Sequence, residues 1–218
     1  SYCFELYTTQ YWFNPSTLPS VSDYSSVRVF FWQRTDITFA DVKRVLGNTK
    51  VECCLVKLNP DPLYQTTHPT PEDIERYHIT VIEEGFMDKA TYLHQLEQCN
   101  VFISPRRYEG IGMSFLEAMA MGLVIIGMDH ATINEYIEDG VTGRLFNEQF
   151  DPVDLASLPA LGQRTQRAAK EGFARWQADC PRILQFMSAP LQSVRPLGLA
   201  LKLKIKYHTG LYVIKHRL

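Results

Sequence analysis

Apolar residues fall along this chain in short unbroken runs, separated by stretches in which they recur every three or four positions. Five runs have the length of strands: Val27–Trp32, Val51–Leu58, Ile79–Ile82, Val101–Ile103 and Leu123–Ile126. Several are apolar at consecutive positions, which requires burial on both faces and hence a parallel sheet covered on each side. Between them, Phe39–Leu46 is apolar at 39, 42, 45 and 46, and Asp88–Gln98 carries Tyr92, Leu93 and Leu96 on one stripe, so both predict helices. The proline-rich stretch 59–71 is a loop that leads into an acidic helix start at Glu72. Met113–Met121 predicts a short helix closed by Gly122 in a left-handed cap, and residues 161–178 predict a final amphipathic helix. Strands alternating with helices give an α/β fold, a Rossmann-like parallel sheet with helices on both faces.

Ahead of this pattern, residues 1–13 are aromatic-rich and Asn14–Ser26 is dense in Pro, Ser and Asn, which marks a connection rather than an element. The expected organisation is therefore a linker or remnant over 1–26, a Rossmann-like domain over 27–180 and a tail over 181–218. The 218 residues suit one main core. The formal net charge of −2 hides an asymmetry, because residues 180–218 hold seven positive side chains and no Asp or Glu, leaving an acidic body. Within that tail, 199–206 alternates apolar and basic positions. It fits either contact with an anionic membrane or an edge strand guarded by Lys202, Lys204 and Lys206. An acidic body without an interleaved binding motif disfavours nucleic acid as a partner.

No apolar run approaches the roughly 18 residues that cross a bilayer, and Ser1 opens no basic stretch followed by an apolar core. Five cysteines lack C-x-x-C spacing, which fits a reducing compartment. A cytoplasmic location is expected, with peripheral contact at the inner membrane surface through the basic tail. The histidines at 68, 78, 94, 130, 208 and 216 show no metal-ligand spacing, so no metal site and no cofactor is expected.

Chemistry concentrates where the run Val101–Ile103 gives way to the helix at Met113. In an open parallel sheet such a strand-to-helix junction lies at the carboxyl edge, where ligands bind. Gly110 and Gly112 remove side chains so that a ligand can approach the backbone, and the free N–H groups of a helix start favour an anion. Glu109 and Glu117 flank them, eight positions apart. Carboxylates are poor partners for phosphate and good acceptors for sugar hydroxyls, so the set suits a ligand with both, a nucleotide sugar. The local alternative stays open on residue chemistry alone: Ser114–Glu117 has capping-box spacing, and the glycines suit turns.

The stretch from Glu109 to Gly122, continued by Val124-Ile125-Ile126 and by Asn134 to Phe146, resembles the signature of retaining family-four glycosyltransferases of GT-B fold, the glycosyl transferases group 1. Their pattern is E-G-F-G-L-x-x-L-E-A-M-A-x-G-x-P-V followed by E-I-I-x-D-G-x-T-G-x-L. The resemblance implies one half of a GT-B fold, the carboxyl-terminal, donor-binding domain. It implies that Glu109 contacts the donor sugar near the reacting centre, as the catalytic carboxylate, and that Glu117 holds the ribose hydroxyls. The backbone of Gly110, Ile111, Gly112 and Met113 lies along sugar and diphosphate, and Phe86 and Met87 fall where the family builds part of its base pocket. No metal is implied, since the family uses an Arg and a Lys in a G-R-x-x-x-x-K-G loop after the domain's first strand.

Here that loop reads Trp32 to Phe39; Arg34 matches the Arg, while the Lys and its Gly are missing. Arg106 or Arg107 is left to supply the second charge. His130 lies at the same sheet edge and reads equally as a polar residue at a helix start. The family's enzymes pair two domains of similar size, so a missing amino-terminal domain that brings the acceptor is a further expected partner. Polysaccharide or lipid-linked glycan synthesis is the expected role. A non-catalytic nucleotide-sugar-binding or scaffolding domain is the alternative, and donor isomerisation of the epimerase type a third.

Overall fold

A computed structural model of the protein describes residues 6–59, 66–83, 85 and 87–189. Six parallel strands form one sheet: β1 (Val27–Trp32), β2 (Val51–Lys57), β3 (Ile79–Ile82), β4 (Val101–Ile103), β5 (Val124–Met128) and β6 (Gly143–Phe146). Their spatial order is β3-β2-β1-β4-β5-β6. The connections are the helices α1 (Phe39–Leu46), α2 (Pro71–Tyr77), α3 (Lys89–Glu97), α4 (Met113–Met121) and α5 (Ile133–Tyr136), and α6 (Leu158–Ser188) follows β6. Right-handed crossovers that run outward from β1 and from β4 place helices on both faces of the sheet. The fold is the expected α/β, Rossmann-like one.

Burial explains the strands. Val29, Phe30 and Phe31 of β1, all three residues of β4 and all five of β5 are buried. Phe30 and Phe102 stack at 5.9 Å between these neighbouring strands. Local sequence sets the helix ends. The Asp41 carboxylate accepts from the Thr38 N–H at 3.0 Å and from its hydroxyl at 2.9 Å, fixing the start of α1. At α2 the bonds are reciprocal, the Asp73 carboxylate accepting from the Thr70 N–H and the Thr70 hydroxyl from the Asp73 N–H, with Pro71 at its first position. Gly122, at φ +95°, closes α4 as the sequence predicts, and its N–H reaches the Ala118 and Met119 carbonyls.

Three features differ from the sequence expectation. The four residues of β6 and the single turn of α5 are too short to show a period in the sequence. Helix α6 runs past residue 178 and through Pro181 to Ser188. Residues 11–26, expected as a connection, contain only one 3-10 turn, yet Trp12, Val21 and Tyr24 are buried in the core. The chain accordingly divides into a main unit, Tyr11–Trp176, and a second made of residues 1–10 with 177–218. The main unit thus begins ahead of Val27. In the second unit, the Tyr7 hydroxyl donates to the Asp179 carboxylate and its ring lies 5.5 Å from that of Phe186. The basic positions from Arg195 to Arg217, together with Phe86, lie outside the described residues. No helix of the described residues is long and apolar enough to cross a membrane.

Candidate active site

The connections from β1 and from β4 leave the sheet in opposite directions, which opens a crevice above their carboxyl ends, where ligands of open α/β sheets sit. A cavity of about 400 Å³ occupies this place. One wall comes from Trp32 and Arg34 after β1, and the other from Phe102, Pro105 and Arg106 after β4. Its floor is the continuous stretch from Glu109 to Ser114 that leads into α4. Of the residues expected at the site, Arg34, Glu109, Gly110, Ile111, Gly112 and Met113 are therefore brought together.

Arg34 rests on Trp32, its guanidinium carbon 4.4 Å from the ring centre, and Asn59 donates to its carbonyl at 3.2 Å. The loop is thus tied to the end of β2 and the cation lies over an aromatic ring. Glu109 is almost covered, with its side chain 7% exposed, and lies 3.8 Å from the Arg106 guanidinium. Burial pushes its carboxyl up from the usual range and the charge of Asp36 adds to this, while Arg106 and Arg34 pull the other way. Of the two candidates for a second charge, Arg106 lines the cavity. Arg107 is not among the lining residues; its guanidinium is engaged by Glu148 at 3.0 Å and lies 4.6 Å from the centre of the Phe150 ring. Counting from Arg34, the family's Lys position falls on Phe39, which is 1% exposed and packs edge-on against Tyr77 at 5.6 Å. That position is core here and carries no cation.

The two glycines differ in kind. Gly112 has φ +71°, and a Cβ there would sit 1.9 Å from the Phe115 ring, so the turn into α4 demands glycine. A Cβ on Gly110 would meet nothing within 4 Å. The chain's own packing gives no reason for a glycine at 110. Because Gly112 is the N-cap, α4 begins at Met113 without a side-chain cap bond. This removes the capping-box alternative, since Ser114 is already inside the helix.

Glu117 is 4% exposed and is bound not by the helix start but by the Lys89 ammonium at the first position of α3. Lys89 was missed in the sequence. It lies 28 positions away in a different element, and only its place just after the expected base-pocket segment pointed towards it. Met87, in that segment, is partly buried against the core. Lys57, at the end of β2, was also missed; it is fully buried, donates to the Gly85 carbonyl at 2.9 Å and lies 5.5 Å from the centre of the Trp32 ring. His130 stacks edge-on with Tyr108 at 4.5 Å and is not among the lining residues. Among the described residues, no three His, Cys, Asp or Glu side chains converge as a metal site requires.

Positive charge on two sides, free amides along a glycine-bearing floor and a buried carboxylate at one end suit an anionic, hydroxyl-rich ligand. The chain is similar to known proteins. The sequence model of glycosyl transferases group 1 matches residues 41–158. The sucrose synthase of Thermosynechococcus vestitus is 32% identical over 97 residues, which cover 38% of this chain and 12% of that protein. Among solved structures, sucrose-phosphate synthase from Thermosynechococcus elongatus matches with a TM-score of 0.54 at 17% identity, over 80% of this chain and 50% of its own. TarM matches with a TM-score of 0.50 at 15% identity, over 83% of this chain and 38% of its own. At these identities the structural likeness is one of fold, and the chain spans at most half the length of each of these relatives.

Proposed function

Since the chain belongs to the glycosyl transferases group 1 family, we propose that it is the donor-binding part of a retaining glycosyltransferase that takes a nucleotide sugar. The observation that carries this is the convergence of Arg34, Arg106, the 110–113 backbone and Glu109 on one cavity at the β1/β4 crevice. The diphosphate lies along the floor between the two guanidinium groups, which match phosphate oxygens in pairs. Glu109 faces the donor sugar, and Glu117 takes the ribose hydroxyls.

Transfer breaks the bond between the sugar's anomeric carbon and the diphosphate, leaving negative charge on the phosphate oxygens as positive character develops on the ring. Fixed guanidinium groups at the leaving oxygens stabilise that charge without reorganising. Two arginines thus supply what a metal supplies elsewhere, and no metal is assigned. An acceptor hydroxyl attacks the same face, delivered by a second domain; polysaccharide or lipid-linked glycan synthesis at the inner membrane surface, touched through the basic tail, belongs to the same proposal. A non-catalytic nucleotide-sugar-binding or scaffolding role is favoured by one observation, the core Phe39 where the family carries its Lys.

Calorimetric titration with UDP, GDP and ADP and their sugars tests the proposal. At least one nucleotide binds, and Glu117→Ala and Arg34→Ala weaken it. Absence of binding by the whole panel, or indifference to both substitutions, overturns it. Transfer from labelled nucleotide sugars, with the acceptor domain supplied, separates the enzyme from the non-catalytic alternative.

A further inference from the structure

A tyrosine that no motif announces stands beside Lys89, the partner of Glu117. Tyr92 of α3 is 7% exposed, and its hydroxyl has no hydrogen-bond partner among the described residues. Buried hydroxyls are nearly always bonded, and an unbonded one costs stability, so this one calls for a partner from outside the chain. Its ring lies 5.8 Å from that of Trp32, which lines the cavity. The Lys89 ammonium lies 5.4 Å from the centre of the same ring and binds the Glu117 carboxylate. Burial pushes the Tyr92 hydroxyl far up, the charge of Glu117 adds to this and that of Arg34 opposes it. Tyr92 is thus joined through Lys89 to the carboxylate on α4 and through Trp32 to the wall of the cavity.

We propose that Tyr92 is a specificity-determining residue for the donor's nucleoside, its hydroxyl completing with Glu117 and Lys89 a three-group socket for the vicinal 2′- and 3′-hydroxyls of a ribose. The inference rests on the nucleotide reading of the site. A ribose diol brings two O–H donors and lone pairs on both oxygens. The Glu117 carboxylate accepts from the diol, while the Lys89 ammonium and the Tyr92 O–H donate to its lone pairs, so every polar group of the socket is matched. A 2′-deoxyribose leaves one buried group unmatched. Sites built to bond a hydroxyl reject analogues that lack it for this reason.

The 218-residue chain, its Tyr92→Phe variant and its Glu117→Ala variant are titrated calorimetrically with UDP, GDP and ADP and with their 2′-deoxy counterparts. The best-bound ribonucleotide is expected to bind about tenfold or more tighter than its deoxy form. Tyr92→Phe is expected to shrink that ratio at least about threefold through weaker binding of the ribonucleotide alone. The urea midpoint of the empty chain is expected to stay or rise, because the substitution removes an unbonded hydroxyl. An unchanged ratio in Tyr92→Phe overturns the socket, even where Glu117→Ala abolishes binding and the nucleotide proposal stands. A ribonucleotide bound no tighter than its deoxy form by the wild type also overturns it. Failure of all three ribonucleotides to bind overturns the nucleotide proposal and this one with it.

Discussion

Glu109 and Arg106 face each other across 3.8 Å at the cavity, yet the carboxylate side chain is 7% exposed and the guanidinium side chain 42%. The pair is lopsided: Glu109 bears the desolvation while Arg106 keeps its water, and the net result is a carboxyl held above its ordinary value. The sign of the pH effect follows. A carboxyl whose folded-state pKa is raised binds more protons in the folded than in the unfolded chain, so this group's contribution to stability falls as pH rises through the carboxylate range. Glu109→Gln removes that contribution. The variant is expected to gain stability over the wild type as pH rises through that window, the gap vanishing in acid, as read from urea midpoints across pH. A gap that is constant with pH, or that widens in acid, contradicts the burial argument.

The two glycines of the floor predict opposite phenotypes. Gly112→Ala forces a positive φ on alanine and drives its Cβ into Phe115, and is expected to cost about 2–4 kcal/mol. Gly110→Ala meets open space and should leave the urea midpoint close to wild type while weakening nucleotide binding about tenfold or more, because a methyl then stands where the ligand lies. Paired denaturation and titration measurements on the two variants decide the matter. A Gly110→Ala chain that binds like the wild type places the ligand elsewhere.

Most of the residues that line the cavity were legible in the sequence, because they are local. The stretch from Glu109 to Gly122 is contiguous, and one helix start fixes the positions of Gly110, Gly112 and Glu117 at once. The central strands were legible for the same reason: runs such as Val101–Ile103 are apolar throughout and admit only double burial. What stayed hidden depends on partners distant in sequence. Nothing in the spacing around Lys89 says that it reaches Glu117, nor does the Pro- and Ser-rich composition of residues 14–26 reveal that Tyr24 donates to the Gly122 carbonyl at 2.7 Å. The choice between Arg106 and Arg107 is likewise undetermined by sequence, since adjacent side chains in a loop point wherever their partners are, and Glu148 takes Arg107.

That choice carries its own prediction. Arg34→Ala and Arg106→Ala each remove a cavity cation, so diphosphate affinity should fall about tenfold, the scale of a hydrogen bond to a charged group, and become less sensitive to salt. Arg107→Ala breaks an ion pair at the surface and should leave affinity within about twofold. The three variants are compared by titration at low and at physiological ionic strength. If Arg107→Ala proves the most damaging, Arg106 is not the second diphosphate ligand.

Residues ahead of β1 are predicted to be part of the folding unit rather than a dispensable lead. Trp12 is 5% exposed, meets the Tyr136 ring edge-on at 5.1 Å, and lies over Gly172 so closely that a Cβ there would be 2.2 Å from the indole. Tyr24 crosses Gly162 of the same helix in the same way. The two glycines, ten positions apart on α6, are thus the recesses that admit the two rings, which accounts for glycine in the interior of a helix where it otherwise costs stability. Trp12→Ala is expected to lose about 3–5 kcal/mol, and Gly172→Ala to lose stability through overpacking although alanine favours helix. Truncation to Val27 should abolish cooperative unfolding, as monitored by circular dichroism in urea. A truncated chain with a wild-type transition would show that the strap before β1 contributes nothing to the core.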